Sequence, residues 1–139
     1  MAERYSGHDI RAAARMSRKV AGEYTRLSPN FYVYELACRD GTEIFLVHPA
    51  LLVLLEEIRS YFKRPVIVTS GYRTKTHNSR VGGKPDSAHL YGVAADIRII
   101  GTPPFDVQTF AEKLGVGGLG SYDTWTHVDV IGKDRRWDE

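Results

Sequence analysis

Cysteine is almost missing from this chain: Cys38 is the only one among 139 residues. An internal disulfide and a cysteine-rich zinc site are therefore excluded, and nothing in the thiol content points to an oxidising compartment. Cys38 reads as a half-buried small residue rather than a reactive thiol. A surplus of one charge is missing too. With 19 basic and 17 acidic residues the net charge is +2, too small to attract a polyanion, so no nucleic acid partner is expected. Long apolar runs are absent. Nothing approaches the roughly 18 residues of a membrane span, so no membrane partner is expected either. The opening "MAERYSGHDIRAAARMSRK" is charged and lacks the apolar centre of a secretory signal. These absences predict a chain made in the cytoplasm, which reaches any outside target by some other route of release.

What is present suits one globular domain: 42% of residues are hydrophobic and 26% charged. Residues 1–28 read as an appendage. Asp9 could cap a helix over "IRAAARMSRKVAGEY", with Arg11, Arg15, Arg18 and Lys19 on its solvated side. Residues 29–139 read as the main domain. "HPALLVLLEEIRSYF" predicts the principal helix, with Pro49 in its first turn and Leu51, Leu52, Leu55, Ile58, Tyr61 and Phe62 as the apolar stripe. Strands are predicted at "PVIVTS" and "VAADIRII", a polar loop at "KTHNSRVGGKPDS", and a second helix at "PPFDVQTFAEKLG". "GLGSY" and "THVDVIG" read as a final strand pair, and Arg135, Arg136 and Trp137 as a frayed end. The mixture predicts an α+β fold with a small antiparallel sheet and helices packed against it. Gly115, Gly117 and Gly120 match G-x-G-x-x-G, but they follow a helix and precede strand-like sequence. A dinucleotide loop requires the reverse order.

One stretch stands out, "SAHLYGVAAD", from Ser87 to Asp96. Alternation along a strand puts Ala94, Asp96 and Arg98 on one face, where an acid among small neighbours is costly unless paired or ligated. A turn at Tyr91-Gly92 would bring His89 back towards Asp96. In "TWTHVDV", alternation places His127 and Asp129 on a common face. His89, Asp96 and His127 together make a known set for catalytic zinc: three protein ligands and a fourth position for water. Taken alone, two histidines and an aspartate do not decide the matter. Of the other histidines, His77 reads as solvent-exposed, His48 as structural at a helix start, and His8 has no evident partner. A serine hydrolase using Ser70 or Ser87 is disfavoured because neither lies in G-x-S-x-G.

"SAHLYGVAAD" fits S-x-H-x-x-G-x-A-x-D at every fixed position, with "SGYR" before it and H-x-D after it. This order resembles the zinc D-alanyl-D-alanine carboxypeptidases and the phage L-alanyl-D-glutamate endopeptidases, over about residues 29–133. The resemblance implies a small α+β domain, a Zn2+ cofactor, and hydrolysis of peptidoglycan stem peptides by a monomer. It implies His89, Asp96 and His127 as metal ligands, Arg73 as the oxyanion partner, and Ser87 as a substrate contact. Tyr72, Tyr91 and Trp125 flank these motifs and either line a substrate cleft or pack. The general base departs from the family pattern. Well-known members carry an acid three residues before the last histidine, where this chain has Thr124. Asp123 is the favoured substitute, and Asp129 the other candidate. The lack of a signal would fit a phage or prophage lysis protein. A non-catalytic zinc-containing module, like the signalling domain of hedgehog proteins, is the alternative.

Overall fold

The computed structural model describes residues 2–138. Nine strands are present among the described residues: β1 (Ala14–Ser17), β2 (Arg26–Ser28), β3 (Phe31–Tyr32), β4 (Ile44–Val47), β5 (Val66–Ser70), β6 (Ala94–Ile99), β7 (Gly118–Ser121), β8 (Thr126–Asp129) and β9 (Arg135–Asp138). The α-helices are α1 (Arg18–Ala21), α2 (Val33–Leu36), α3 (Pro49–Phe62), α4 (Lys75–Arg80) and α5 (Pro104–Lys113). Five strands form the main sheet in the order β5-β6-β8-β7-β9, and two small two-stranded sheets pair β1 with β4 and β2 with β3. All pairings are antiparallel except β7 with β9, which is parallel. The expected mixed fold and small antiparallel sheets are present; the parallel edge strand was not foreseen.

Helix α3 forms for the reasons its sequence suggests. The His48 imidazole caps it by accepting from the Ala50 N–H at 3.0 Å, and Pro49 needs no partner in the first turn. Leu51, Leu54, Leu55 and Ile58 are buried against the sheet. Each such side chain contributes about 1.5–3 kcal/mol of burial. Tyr61, expected on the same stripe, is mostly exposed and stacks on Phe110 of α5 with ring centres 3.8 Å apart. Helix α5 adds Val107 and Ala111 to the same core.

Three expectations fail. The long helix over residues 10–24 does not form. Asp9 caps only a 3-10 turn, Ile10–Ala12; the chain then extends as β1 against β4, with Ala14 opposite Val47, and closes with the single turn α1. Helix propensity is a weak preference, and here pairing with an apolar strand overrides it. Residues before 28 contribute to the common core: Tyr5 is buried, and Met16, Ala21 and Leu27 pack against it. The polar loop after Arg73 contains α4, capped by the Thr74 hydroxyl, which accepts from the His77 N–H at 3.1 Å. Arg135, Arg136 and Trp137 are not frayed. They form β9, because β7 offers an unpaired edge after the turn at Lys133-Asp134.

Register across the main sheet sorts its two faces. Val68, Ile97 and Thr126 align on the face towards the helices. On the other face one row runs Ser70, Asp96, His127, Gly120, Trp137, and the next runs Ala94, Asp129, Gly118, Arg135.

Candidate metal centre

The site sits on that second face. His89 belongs to a 3-10 turn, Ala88–Tyr91, capped by Ser87, whose Oγ accepts from the His89 N–H at 3.2 Å. Gly92 ends the turn at φ +71°, and a Cβ there would lie 2.4 Å from the Leu46 main chain. Only glycine suits both the left-handed backbone and that approach, so the chain can return to β6. His89 Nε2 then lies 3.2 Å from Asp96 Oδ1. His127, on β8 directly opposite Asp96 of β6, places Nδ1 3.2 Å from the same oxygen. All three residues are buried, and their ligand atoms lie within 4.8 Å of one another.

The far nitrogen of each ring is anchored. His89 Nδ1 lies 2.8 Å from the Gly71 carbonyl, which can only accept, so that nitrogen carries the proton. His127 Nε2 lies 2.7 Å from Asp129 Oδ2. With those protons in place, two bare ring nitrogens face a carboxylate oxygen, and no donor stands between them. Three acceptors converging in a buried space call for a cation, and the nitrogen and oxygen donors suit zinc in type and number. Without a metal, a proton must take that role. Burial pushes the His127 pKa down, but the hydrogen bonds to Asp129 and Asp96 outweigh it and raise the pKa. For His89 burial prevails and lowers it. Burial raises Asp96, yet the two histidines hold it well below the usual carboxylate range.

Asp129 has no exposed surface, and both its oxygens are taken. Besides the His127 ring, it accepts from Arg135 Nη1 at 2.8 Å and the Ile131 N–H at 3.3 Å. Burial raises its pKa, and the partners lower it further than that. Gly118 and Gly120 make room for this arrangement. A Cβ on Gly118 would lie 2.2 Å from Asp129 Oδ2, and one on Gly120 2.5 Å from Trp137 Nε1. The Trp137 ring lies 4.9 Å from that of His127, and its N–H donates to the Tyr122 hydroxyl at 2.9 Å. Arg135, Trp137 and Tyr122 were missed in the sequence. The one clue was alternation in "RRWD", which places Arg135 and Trp137 on a common face.

Arg73 is held beside the metal group. Its guanidinium donates to Ser70 Oγ at 2.9 Å, Asn78 Oδ1 at 3.1 Å and Asp96 Oδ2 at 3.1 Å. Asp123 is placed differently. It is exposed at the β7–β8 hairpin and lines a cleft of about 350 Å³ with Trp125 and residues 97–102, and none of the three ligand candidates lines that cleft. Trp125 stacks on Tyr122 at 4.3 Å. Tyr72 is half-buried against the core.

Comparison with known proteins settles the family. The family model described as Peptidase M15 matches residues 29–129. The chain belongs to the peptidase M15 family. The zinc D-Ala-D-Ala carboxypeptidase of Streptomyces albus G is 38% identical over 81 residues, which cover 53% of this chain and 30% of that protein. The probable peptidoglycan L,D-endopeptidase MepK of Haemophilus influenzae is 39% identical over 77 residues, covering 50% of this chain and 41% of that protein. The chain thus spans less than half the length of these M15 relatives. No helix among the described residues is long and apolar enough to cross a membrane.

Proposed function

We propose that this M15 chain is a zinc peptidase that hydrolyses peptide bonds in peptidoglycan stem peptides. The observation that carries the reading is the convergence of His89 Nε2, His127 Nδ1 and Asp96 Oδ1 in a buried space, with each ring fixed from behind. The names of the two relatives, one a carboxypeptidase and one a probable endopeptidase, support the substrate class.

His89, Asp96 and His127 would hold the Zn2+. When bound by three protein ligands, zinc supplies a Lewis acid and acidifies water to a pKa near about 7. The chain's own residues would do the rest. Arg73 spends three N–H groups on Ser70, Asn78 and Asp96, which leaves one on each terminal nitrogen for the oxygen where negative charge develops. Asp129 holds the His127 ring and has no free oxygen to act as a base. Asp123 would take that role: it sits on the hairpin leading into His127, exposed and without a hydrogen bond or ion pair among the described residues, and it would have to turn from the neighbouring cleft to the metal. It would accept the water's proton and return it to the leaving amine. Ser87, whose oxygen accepts from the His89 N–H, would offer its hydroxyl hydrogen to the substrate, with Tyr72 and Trp125 as further substrate contacts.

The test is digestion of purified peptidoglycan, with mass analysis of what is released. New fragments should appear, vanish with a chelator and return with zinc. Asp123→Asn should lower turnover by roughly 10²–10⁴-fold with zinc content unchanged. Should the zinc-loaded chain release no fragment, the non-catalytic binding module becomes the better reading.

A further inference from the structure

A second group of metal-ligating side chains lies outside the site described above. Cys38 and Asp40 stand on the turn after α2, and His77 stands on α4, with the Cys38 sulfur, an Asp40 oxygen and a His77 ring nitrogen all within 4.8 Å of one another. Thr74 organises them. Its N–H donates to the Cys38 sulfur at 3.5 Å, its hydroxyl donates to Asp40 Oδ2 at 2.8 Å, and that hydroxyl accepts from the His77 N–H at 3.1 Å. The Thr42 N–H fixes the other Asp40 oxygen at 2.9 Å. Three donors of different chemistry are thus preset on two segments nearly forty residues apart in sequence. The His77 ring makes no hydrogen bond or ring contact among the described residues.

We propose that Cys38, Asp40 and His77 bind a second divalent transition cation, with Zn2+ the natural occupant, and that this ion fastens α4 to the turn after α2. The donor set selects the class. Sulfur favours zinc or cobalt over magnesium or calcium, and a thiolate with a carboxylate balances a double positive charge. The exposed Asp40 and the half-exposed His77 are free to adjust to zinc bond lengths of about 2.0–2.3 Å. Hydrogen bonds into the sulfur and both carboxylate oxygens are the support that metal ligands ordinarily have. The position gives such an ion a consequence. Arg73 immediately precedes Thr74, and Asn78 of α4 accepts from its guanidinium. A cation at this cluster would steady the helix that positions Arg73. The proposal does not depend on the chain being a peptidase.

The test uses the full chain, stripped of metal, kept reduced and titrated with Co2+. A near-ultraviolet thiolate-to-cobalt absorption reports Cys38 alone, because His89, Asp96 and His127 contain no sulfur. In the native chain, where the first site also takes cobalt, that band should saturate by two equivalents; in His89→Ala it should saturate at a single equivalent, and in Cys38→Ser it should vanish. In His77→Gln the cobalt affinity read from it should fall roughly 100-fold. His77→Gln is the decisive variant, since Cys38 is buried and its replacement can disturb the core. Absence of the band in the native chain, or unchanged affinity in His77→Gln, overturns the proposal.

Discussion

The two faces of the five-stranded sheet are made from alternate residues of the same strands, yet they are stabilised in opposite ways. Ile97 and Asp129 are equally inaccessible to solvent, at 0% exposure each. Ile97 gains from burial directly, through area removed from water. Asp129 would be costly there without partners, and it is tolerated because the His127 ring, Arg135 and a main-chain N–H occupy its oxygens. Burial therefore does not separate core from site in this molecule. The supply of partners does, and the row Ser70, Asp96, His127, Gly120, Trp137 shows how a sheet can give one face over to it.

Deleting from the core face should have the largest effect. Ile97→Ala should lower unfolding free energy by about 2–5 kcal/mol in denaturant titration, with zinc bound per folded chain unchanged. If zinc were lost in step with stability, the two faces would not be separable. A site-face change should act the other way. Arg135→Ala frees one oxygen of Asp129 and loosens the His127 ring, so zinc affinity in chelator competition should fall roughly 10- to 100-fold. An unchanged affinity would reduce β9 to a mere edge strand. The smallest effect belongs to the helical layer behind the core face. Glu56 of α3 accepts from Ser28 Oγ and from the Asn30 main-chain and side-chain nitrogens, each at 2.7 Å. Burial raises its pKa, but these bonds lower it below the usual glutamate value. Its contribution is then present above the ordinary carboxylate pKa and is lost as pH falls through the depressed one. Glu56→Gln should lower the Tm by about 2–4 °C near neutrality, and the gap should close in acid.

The centre of the site was legible in the sequence because its geometry is local. Alternation placed Asp96 and His127 on defined faces, and the glycine after His89-Leu90-Tyr91 marked the turn that folds the imidazole back. The principal helix was legible for the same reason, since a periodic apolar stripe and a proline in the first turn act within one segment. The surroundings were not. Nothing near residues 10–24 reveals that Ala14–Ser17 will pair with Ile44–Val47, so an Ala- and Arg-rich stretch resembles a helix. Nothing near Trp137 reveals that a parallel partner waits at Gly118–Ser121. "GLGSY" in that partner was legible only as a strand; the role of Gly118 and Gly120, to leave space beneath Asp129 and Trp137, was not.

By itself the sequence determined the type of chemistry: two imidazoles and a carboxylate in a specific motif, an arginine in "SGYR", and strands whose alternation would face them together. The tertiary structure alone decided which nitrogen of each ring is free, because that depends on acceptors brought from elsewhere, the Gly71 carbonyl and the Asp129 carboxylate. It also separated the two remaining acids, burying and saturating Asp129 while leaving Asp123 exposed at a hairpin. Residue type and spacing travel along the chain; hydrogen-bond partnership and solvation arise only when distant segments meet.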